Sequence, residues 1–207
     1  MTISFIDIVD YLGTFAFAVS GIRLAASHKF DLFGAYIIGT VTAIGGGTTR
    51  DLLLNVTPFW MQTPSYLIVI ALALFCVIGF GKYLIKFNET LFLFDAIGLG
   101  LFTVVGIDKA LGLDFPFWVA VIMGMTTGAV GGIIRDILIN EVPLIFRKDI
   151  YAMACVFGGI IYYICYSFGL TSYITHIVAA LTVIVIRLLA ARYHLALPII
   201  NDRYEEL

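Results

Sequence analysis

Charge is what this chain has least of. Asp, Glu, Lys and Arg make up 13% of its 207 residues, where soluble proteins carry about 25%. So few charges cannot cover a water-soluble fold of this size, which excludes a soluble domain. Basic runs are also missing. The formal net charge is −2 and the pI is about 5.8, leaving no electrostatic footprint for nucleic acid. Cysteine is scarce. Cys76, Cys155 and Cys165 stand singly in apolar stretches, without C-x-x-C or zinc spacing, and an odd number argues against a disulfide framework. His28, His176 and His194 are isolated from one another, so structural or interfacial roles are expected of them. Neither a cofactor nor a fixed metal is expected. The first positive charge is Arg23, so the basic start of a signal peptide is missing. Ala16-Phe17-Ala18 faintly imitates a cleavage site, but Asp7 and Asp10 precede it, and residues 5–25 read as a retained span.

What is abundant is apolar surface. Hydrophobic residues are 61% of the chain and the mean hydropathy is +1.05. Seven apolar segments follow one another at about 5–25, 31–56, 64–85, 91–111, 116–140, 150–170 and 173–192, each near the roughly 20 residues that cross a bilayer. Helices are the default because a span must satisfy its own backbone hydrogen bonds. The expected class is an all-α polytopic membrane protein in which residues 1–207 form one transmembrane domain. Lys and Arg sort the loops. Arg23, Lys29, Lys82, Lys86, Arg147, Lys148, Arg187, Arg192 and Arg203 fall on one side and Lys109 alone on the other, so the N-terminus is expected outside and the tail, 193–207, in the cytoplasm. Trp60 and Trp118 then both lie at the outer boundary. Asp108 and Lys109, near a span end, read as interfacial.

Shifting the chain against itself by 85 residues gives a match without insertions. Asp10 falls on Asp95, Gly13 on Gly98, Phe17 on Phe102 and Gly21 on Gly106. Arg50-Asp51 falls on Arg135-Asp136, Asn55 on Asn140, Pro58 on Pro143 and Tyr66 on Tyr151. Roughly a third of positions 10–66 are identical to their partners. Shared apolar composition would align leucines and valines, not Asp, Arg, Asn, Pro and Gly together. Repeat one covers about 5–85 and repeat two about 91–170, with an extra helix at about 173–192. Three spans per repeat send the second copy into the membrane from the opposite side, giving inverted repeats.

The chemistry concentrates in Gly45-Gly46-Gly47-Thr48-Thr49-Arg50-Asp51 and in Thr126-Thr127 with Gly131-Gly132-Ile133-Ile134-Arg135-Asp136. Interior glycines each cost a helix about 1 kcal/mol relative to alanine. Two readings stay open: a broken, pore-lining helix whose carbonyls and threonine hydroxyls replace part of a cation's hydration shell, or close helix crossing through small residues. Arg and Asp inside a span cost about 2.5–3.5 kcal/mol each, so Arg50, Asp51, Arg135 and Asp136 must face partners or water. Direction along the spans favours Asp10 near Arg50 and Asp95 near Arg135. Such pairs either hold the bundle in register or line and gate a path. Asp10 and Asp95 superficially suit an intramembrane aspartyl protease, but the glycine-flanked aspartate motif of those enzymes is missing; no enzyme is expected.

The doubled glycine–Arg–Asp motif in a compact seven-span chain resembles the prokaryotic branch of the trimeric intracellular cation channels, whose bacterial members also carry a glycine-transporter label. The resemblance covers residues 5–192. It implies a homotrimer in membrane lipid with a pore in each subunit for monovalent cations, chiefly potassium with sodium also passing, and a prokaryotic inner-membrane location. It also implies kinks at Gly45, Gly46 and Gly47 and at Gly131 and Gly132 in the second and fifth spans, which line the pore and hold the cation only transiently. Val130 stands where a third glycine would be, implying a less open second kink. The alternative is a secondary transporter for a small solute such as an amino acid, since inverted repeats and interrupted helices suit both.

Overall fold

A computed structural model of the protein describes residues 4–86, 89–146, 150–193 and 195, and of 82–86 and 89 the backbone alone. His194, Arg147, Lys148, Arg203 and the side chains of Lys82 and Lys86 lie outside the described residues, as does nearly all of the tail. The described chain is helical: α1 (Phe5–Ser27), α2 (Leu32–Leu53), the single turn α3 (Phe59–Gln62), α4 (Ser65–Lys86), α5 (Glu89–Leu111), α6 (Phe117–Leu138), a 3-10 turn (Leu144–Phe146), α7 (Ala152–Ser167) and α8 (Ser172–Tyr193). Helices long and apolar enough to cross a membrane are Phe5–Ser27, Leu32–Leu53, Thr90–Gly112, Phe117–Leu138 and Ser172–Tyr193. Ser65–Gly81 and Ala152–Ser167 are shorter apolar helices. α3 and the 3-10 turn were not expected from the sequence.

Local chemistry sets the ends. Ser4 and Asp7 form a reciprocal capping box on α1, and the Asp31 carboxylate accepts from Gly34 N at the start of α2, supplying acceptors to otherwise orphaned N–H groups. α2 and α6 stop one residue before the turns that carry Asn55 (φ 56°) and Asn140 (φ 61°). Asparagine tolerates that left-handed conformation better than most side chains, which accounts for its recurrence at the 85-residue offset.

α1, α2, α5 and α6 pack on one another at the centre; α4 lies against α1 and α2, α7 against α5 and α6, and α8 against α5 and α7. The contacts at the centre are reciprocal. Phe17 of α1 meets Phe102 of α5 edge-on, ring centroids 5.1 Å apart, and each ring occupies the space left by a glycine on the other helix, Gly98 and Gly13. Gly21 receives Thr42 as Gly106 receives Thr127. Large apolar side chains such as Phe75, Phe80, Trp118 and Phe168 point outward, the distribution expected when hydrocarbon surrounds the bundle.

Not every positive charge counted along the loops sits on a rim. Arg23 and Arg187 are 6% and 1% exposed, buried within the bundle. Position near a helix end does not reveal which face a side chain takes.

Candidate functional site

The two glycine segments meet. A Cβ on Gly46 would overlap the carbonyl oxygen of Thr127, and one on Gly131 the carbonyl oxygen of Thr42. α2 and α6 therefore cross with backbone against backbone, which only glycine allows. Gly47 is covered by the Phe59 ring, and Gly132 lies under the Tyr151 hydroxyl. Gly45 is the roomy position, its nearest neighbour 3.3 Å from a built Cβ, so its counterpart can be Val130 without separating the helices.

The helical assignment runs unbroken through both segments, and the glycines allow the two helices to cross closely there. The threonines turn inward to their own helix. Thr48 donates to Ile44 O and Thr49 to Gly45 O (2.6 and 2.9 Å), and Thr42 and Thr127 donate likewise to Ile38 O and Met123 O. Such bonds to the carbonyl four residues back favour bending without interruption. Thr126 is half-buried, and its carbonyl borders Gly46.

Beyond each glycine segment stands a buried Arg–Asp pair. Arg50 Nε donates to Asp51 Oδ1 (2.8 Å) and Arg135 Nε to Asp136 Oδ1 (2.8 Å). The second carboxylate oxygen accepts a backbone N–H after a proline-led turn: Phe59 N on Asp51 Oδ2 (2.9 Å) and Leu144 N on Asp136 Oδ2 (3.0 Å). This explains why Asn and Pro recur with Arg-Asp. The carboxylate captures the returning chain, and α3 and the 3-10 turn begin there.

The two clusters differ in the rest. Arg135 Nη1 also reaches Asp95 Oδ1 (2.7 Å) and Ser20 Oγ (3.0 Å). Asp10 and Arg50 line one cavity of about 320 Å³ without forming an ion pair. The Asp10 carboxylate instead accepts from Tyr66 Oη (2.8 Å), and Lys109 Nζ takes Asp51 Oδ1 (2.8 Å). In the second cluster the counterparts of that tyrosine bond, Asp95 Oδ2 and Tyr151 Oη, have no hydrogen-bond partner among the described residues. Tyr151 lies under the Arg187 guanidinium (4.6 Å to the ring centroid). Thus Lys109, near the end of α5, joins the first cluster. Sequence reasoning also passed over Tyr66 and Tyr151 as partners, although their alignment at the repeat offset was a usable signal; Arg187 gave none.

The chain covers this same architecture in known proteins. A family model described as "Glycine transporter" matches residues 7–82 and again 92–167, two segments themselves displaced by 85 residues. A UPF0126 membrane protein of Vibrio cholerae is 40% identical over 201 residues, covering 94% of this chain and 82% of that protein. The UPF0126 inner membrane protein YadS of Escherichia coli is 38% identical, covering 92% and 93%. Among solved structures, the trimeric intracellular cation channel orthologue from Rhodobacter sphaeroides superposes with a TM-score of 0.87 at 31% identity, covering 92% of this chain and 98% of that one. A structure described for conductance through TRIC cation channels gives 0.83 at 36% identity, covering 94% and 97%. The chain belongs to the prokaryotic branch of the trimeric intracellular cation channel family. As a member of that family with several apolar helices, it is a multi-pass membrane protein.

Proposed function

We propose that this family member is a potassium-permeable monovalent cation channel, with sodium also passing, that forms a homotrimer in a prokaryotic inner membrane. Each subunit carries its own pore between α2 and α6. The observation that carries this reading is the reciprocal backbone crossing of α2 and α6 at Gly46 and Gly131, with an Arg–Asp cluster beyond each end. The cavity beside the first cluster supports it: its lining includes Arg50 and Phe59, and Phe59 covers Gly47. Small bends of two continuous helices there would open a narrow path whose oxygen ligands are backbone carbonyls and the hydroxyls of Thr48, Thr49, Thr126 and Thr127.

In this reading α1, α2, α4, α5, α6, α7 and α8 are seven spans, the first three and the next three forming inverted repeats and α8 standing alone. Reciprocal contacts between equivalent residues, and a family model that matches twice, support that arrangement. The excess of Lys and Arg on one side places the N-terminus outside and the C-terminus in the cytoplasm. The cavity beside Asp10 is then the outer vestibule. Lys109, 30% exposed at its side chain, is a cation in its mouth. Lys109→Gln is expected to raise inward potassium conductance about two- to threefold at low ionic strength, an effect that fades above about 1 M salt as screening shortens. Single-channel recording over a salt series checks this.

The vestibule carries both signs, with Asp7, Asp10 and Asp108 facing Arg50 and Lys109. That combination also suits a zwitterion, and with the family model's name it favours a second reading, a carrier for a small amino acid. Proteoliposomes separate the two. A channel gives potassium efflux that glycine does not alter; glycine counterflow with no independent potassium flux would replace the channel by the carrier.

A further inference from the structure

The two Arg–Asp clusters hold equivalent side chains in opposite arrangements. In the first, the Asp10 carboxylate of α1 accepts from Tyr66 Oη (2.8 Å). It makes no ion pair with Arg50, whose only hydrogen bond among the described residues runs from Nε to Asp51. In the second, Asp95 Oδ1 of α5 takes Arg135 Nη1 (2.7 Å). Asp95 Oδ2 and Tyr151 Oη are both buried there without a hydrogen-bond partner among the described residues. Asp10 thus sits on its tyrosine and Asp95 on its arginine. Tyr151 is nonetheless within the second cluster. A Cβ built on Gly132 would lie 3.0 Å from Tyr151 Oη and 3.7 Å from Arg135 Nη2, so the free hydroxyl stands beside the guanidinium that holds Asp95.

Two departures from the 85-residue match account for the split. Ser20 of α1 accepts from Arg135 Nη1 (3.0 Å) and so favours the arginine in its present place. The equivalent position in the first cluster is Val105, which lines the cavity beside Arg50 and offers no acceptor. Arg187 of α8 has no counterpart, because α8 lies outside the matched segments. Anchored by Ile150 O (3.1 Å), its guanidinium covers the Tyr151 ring, an attraction that strengthens when water is excluded. The arrangement has a cost. A buried acceptor and a buried donor without partners are both unfavourable, and one hydrogen bond from Tyr151 Oη to Asp95 Oδ2 would satisfy the two together. That bond is the one Tyr66 and Asp10 already make.

We infer, on the proposed reading of a path between α2 and α6, that Asp95 exchanges Arg135 for Tyr151 and that Tyr151 and Ser20 are its positioning residues. With Asp95 on Arg135, and Arg135 on Ser20, helices α1, α5 and α6 are tied to one another and the path past this cluster is shut. With Asp95 on Tyr151 the tie is released. A cavity then opens at this end like the one that Asp10, Arg50 and Tyr66 line at the other. The first cluster supplies the pattern for the open arrangement and the second for the closed one. Asp10 is accordingly able to leave Tyr66 for Arg50 and to shut its own end in the same way.

The test records the full-length protein in planar bilayers and determines the structure of one variant beside it. Tyr151 Oη has no hydrogen bond to lose, so a purely structural role predicts no change in Tyr151→Phe. The exchange predicts an open probability about fivefold lower, the worth of one hydrogen bond withheld from the open arrangement. Ser20→Ala weakens the closed arrangement and is expected to raise open probability by a similar factor. In Tyr66→Phe, Asp10 is expected to turn onto Arg50, reproducing the Asp95–Arg135 pair. An unchanged or raised open probability in Tyr151→Phe, with wild type conducting, overturns the exchange and leaves the channel standing. Absence of current from wild type counts against the channel instead, and the Tyr66→Phe structure then decides the exchange. Asp10 on Arg50 supports it; Asp10 left in place overturns it.

Discussion

Replacing Gly46 or Gly131 by alanine is expected to abolish permeation and to destabilise the bundle by about 3 kcal/mol or more. Each new methyl would enter the space of a carbonyl oxygen on the facing helix, Thr127 O or Thr42 O. Backbone cannot swing aside as a side chain can, so α2 and α6 must separate along their whole crossing, and overpacking of that kind costs about 1–3 kcal/mol even where side chains can yield. Two controls isolate the cause. Gly45→Ala meets the flexible end of Ile134 at 3.3 Å and Gly131 Cα at an ordinary 3.5 Å, and Gly79→Ala meets nothing within 4 Å; neither is expected to destabilise, and Gly79→Ala is expected to stabilise by about 0.5–1 kcal/mol. Thermal unfolding in detergent, read with potassium efflux from liposomes, checks all four variants. Equal tolerance of Gly46→Ala and Gly45→Ala would remove the crossing as the explanation for the triple glycine.

Loss of Arg135 is expected to have the second large effect. Its guanidinium, 1% exposed, holds Asp95 and Asp136 together and donates to Ser20. Arg135→Ala leaves two carboxylates buried side by side without a counter-charge, at a cost of about 3–5 kcal/mol. The same removal at Arg50 is milder, because Lys109 still reaches Asp51 and Tyr66 still holds Asp10. Exchanging the pair, Asp95→Arg with Arg135→Asp, is expected to recover part of the lost stability, though Asp136 then stands beside a like charge. Size-exclusion profiles after heating rank these variants. No recovery in the exchanged pair would mean that Asp95 and Arg135 are not coupled.

Much of the fold was legible because bilayer physics leaves few options: runs of about 20 apolar residues must be helices. The internal match was legible for the opposite reason. Asp, Arg, Asn and Pro are rare here, so their alignment carried information that Leu and Val could not. What those polar residues do was only partly readable. Asp51 and Asp136 each spend one oxygen on the adjacent arginine and the other on a backbone N–H eight residues on, a local geometry that spacing does not announce. Arg23 and Arg187 looked like rim charges because they stand near helix ends, yet rotation about the helix axis takes them inside. His176, for which a structural or interfacial role was expected, bonds Asp108 and Tyr162, partners 68 and 14 positions away in the chain that spacing does not reveal.

Passive cation permeation through each subunit is decided by recording purified protein in planar bilayers under a potassium gradient. Unitary currents are expected, reversing near the potassium equilibrium potential when the anion is impermeant and not saturating at low concentration. Electrically silent bilayers, from a preparation that exchanges labelled glycine across liposome membranes, would contradict it.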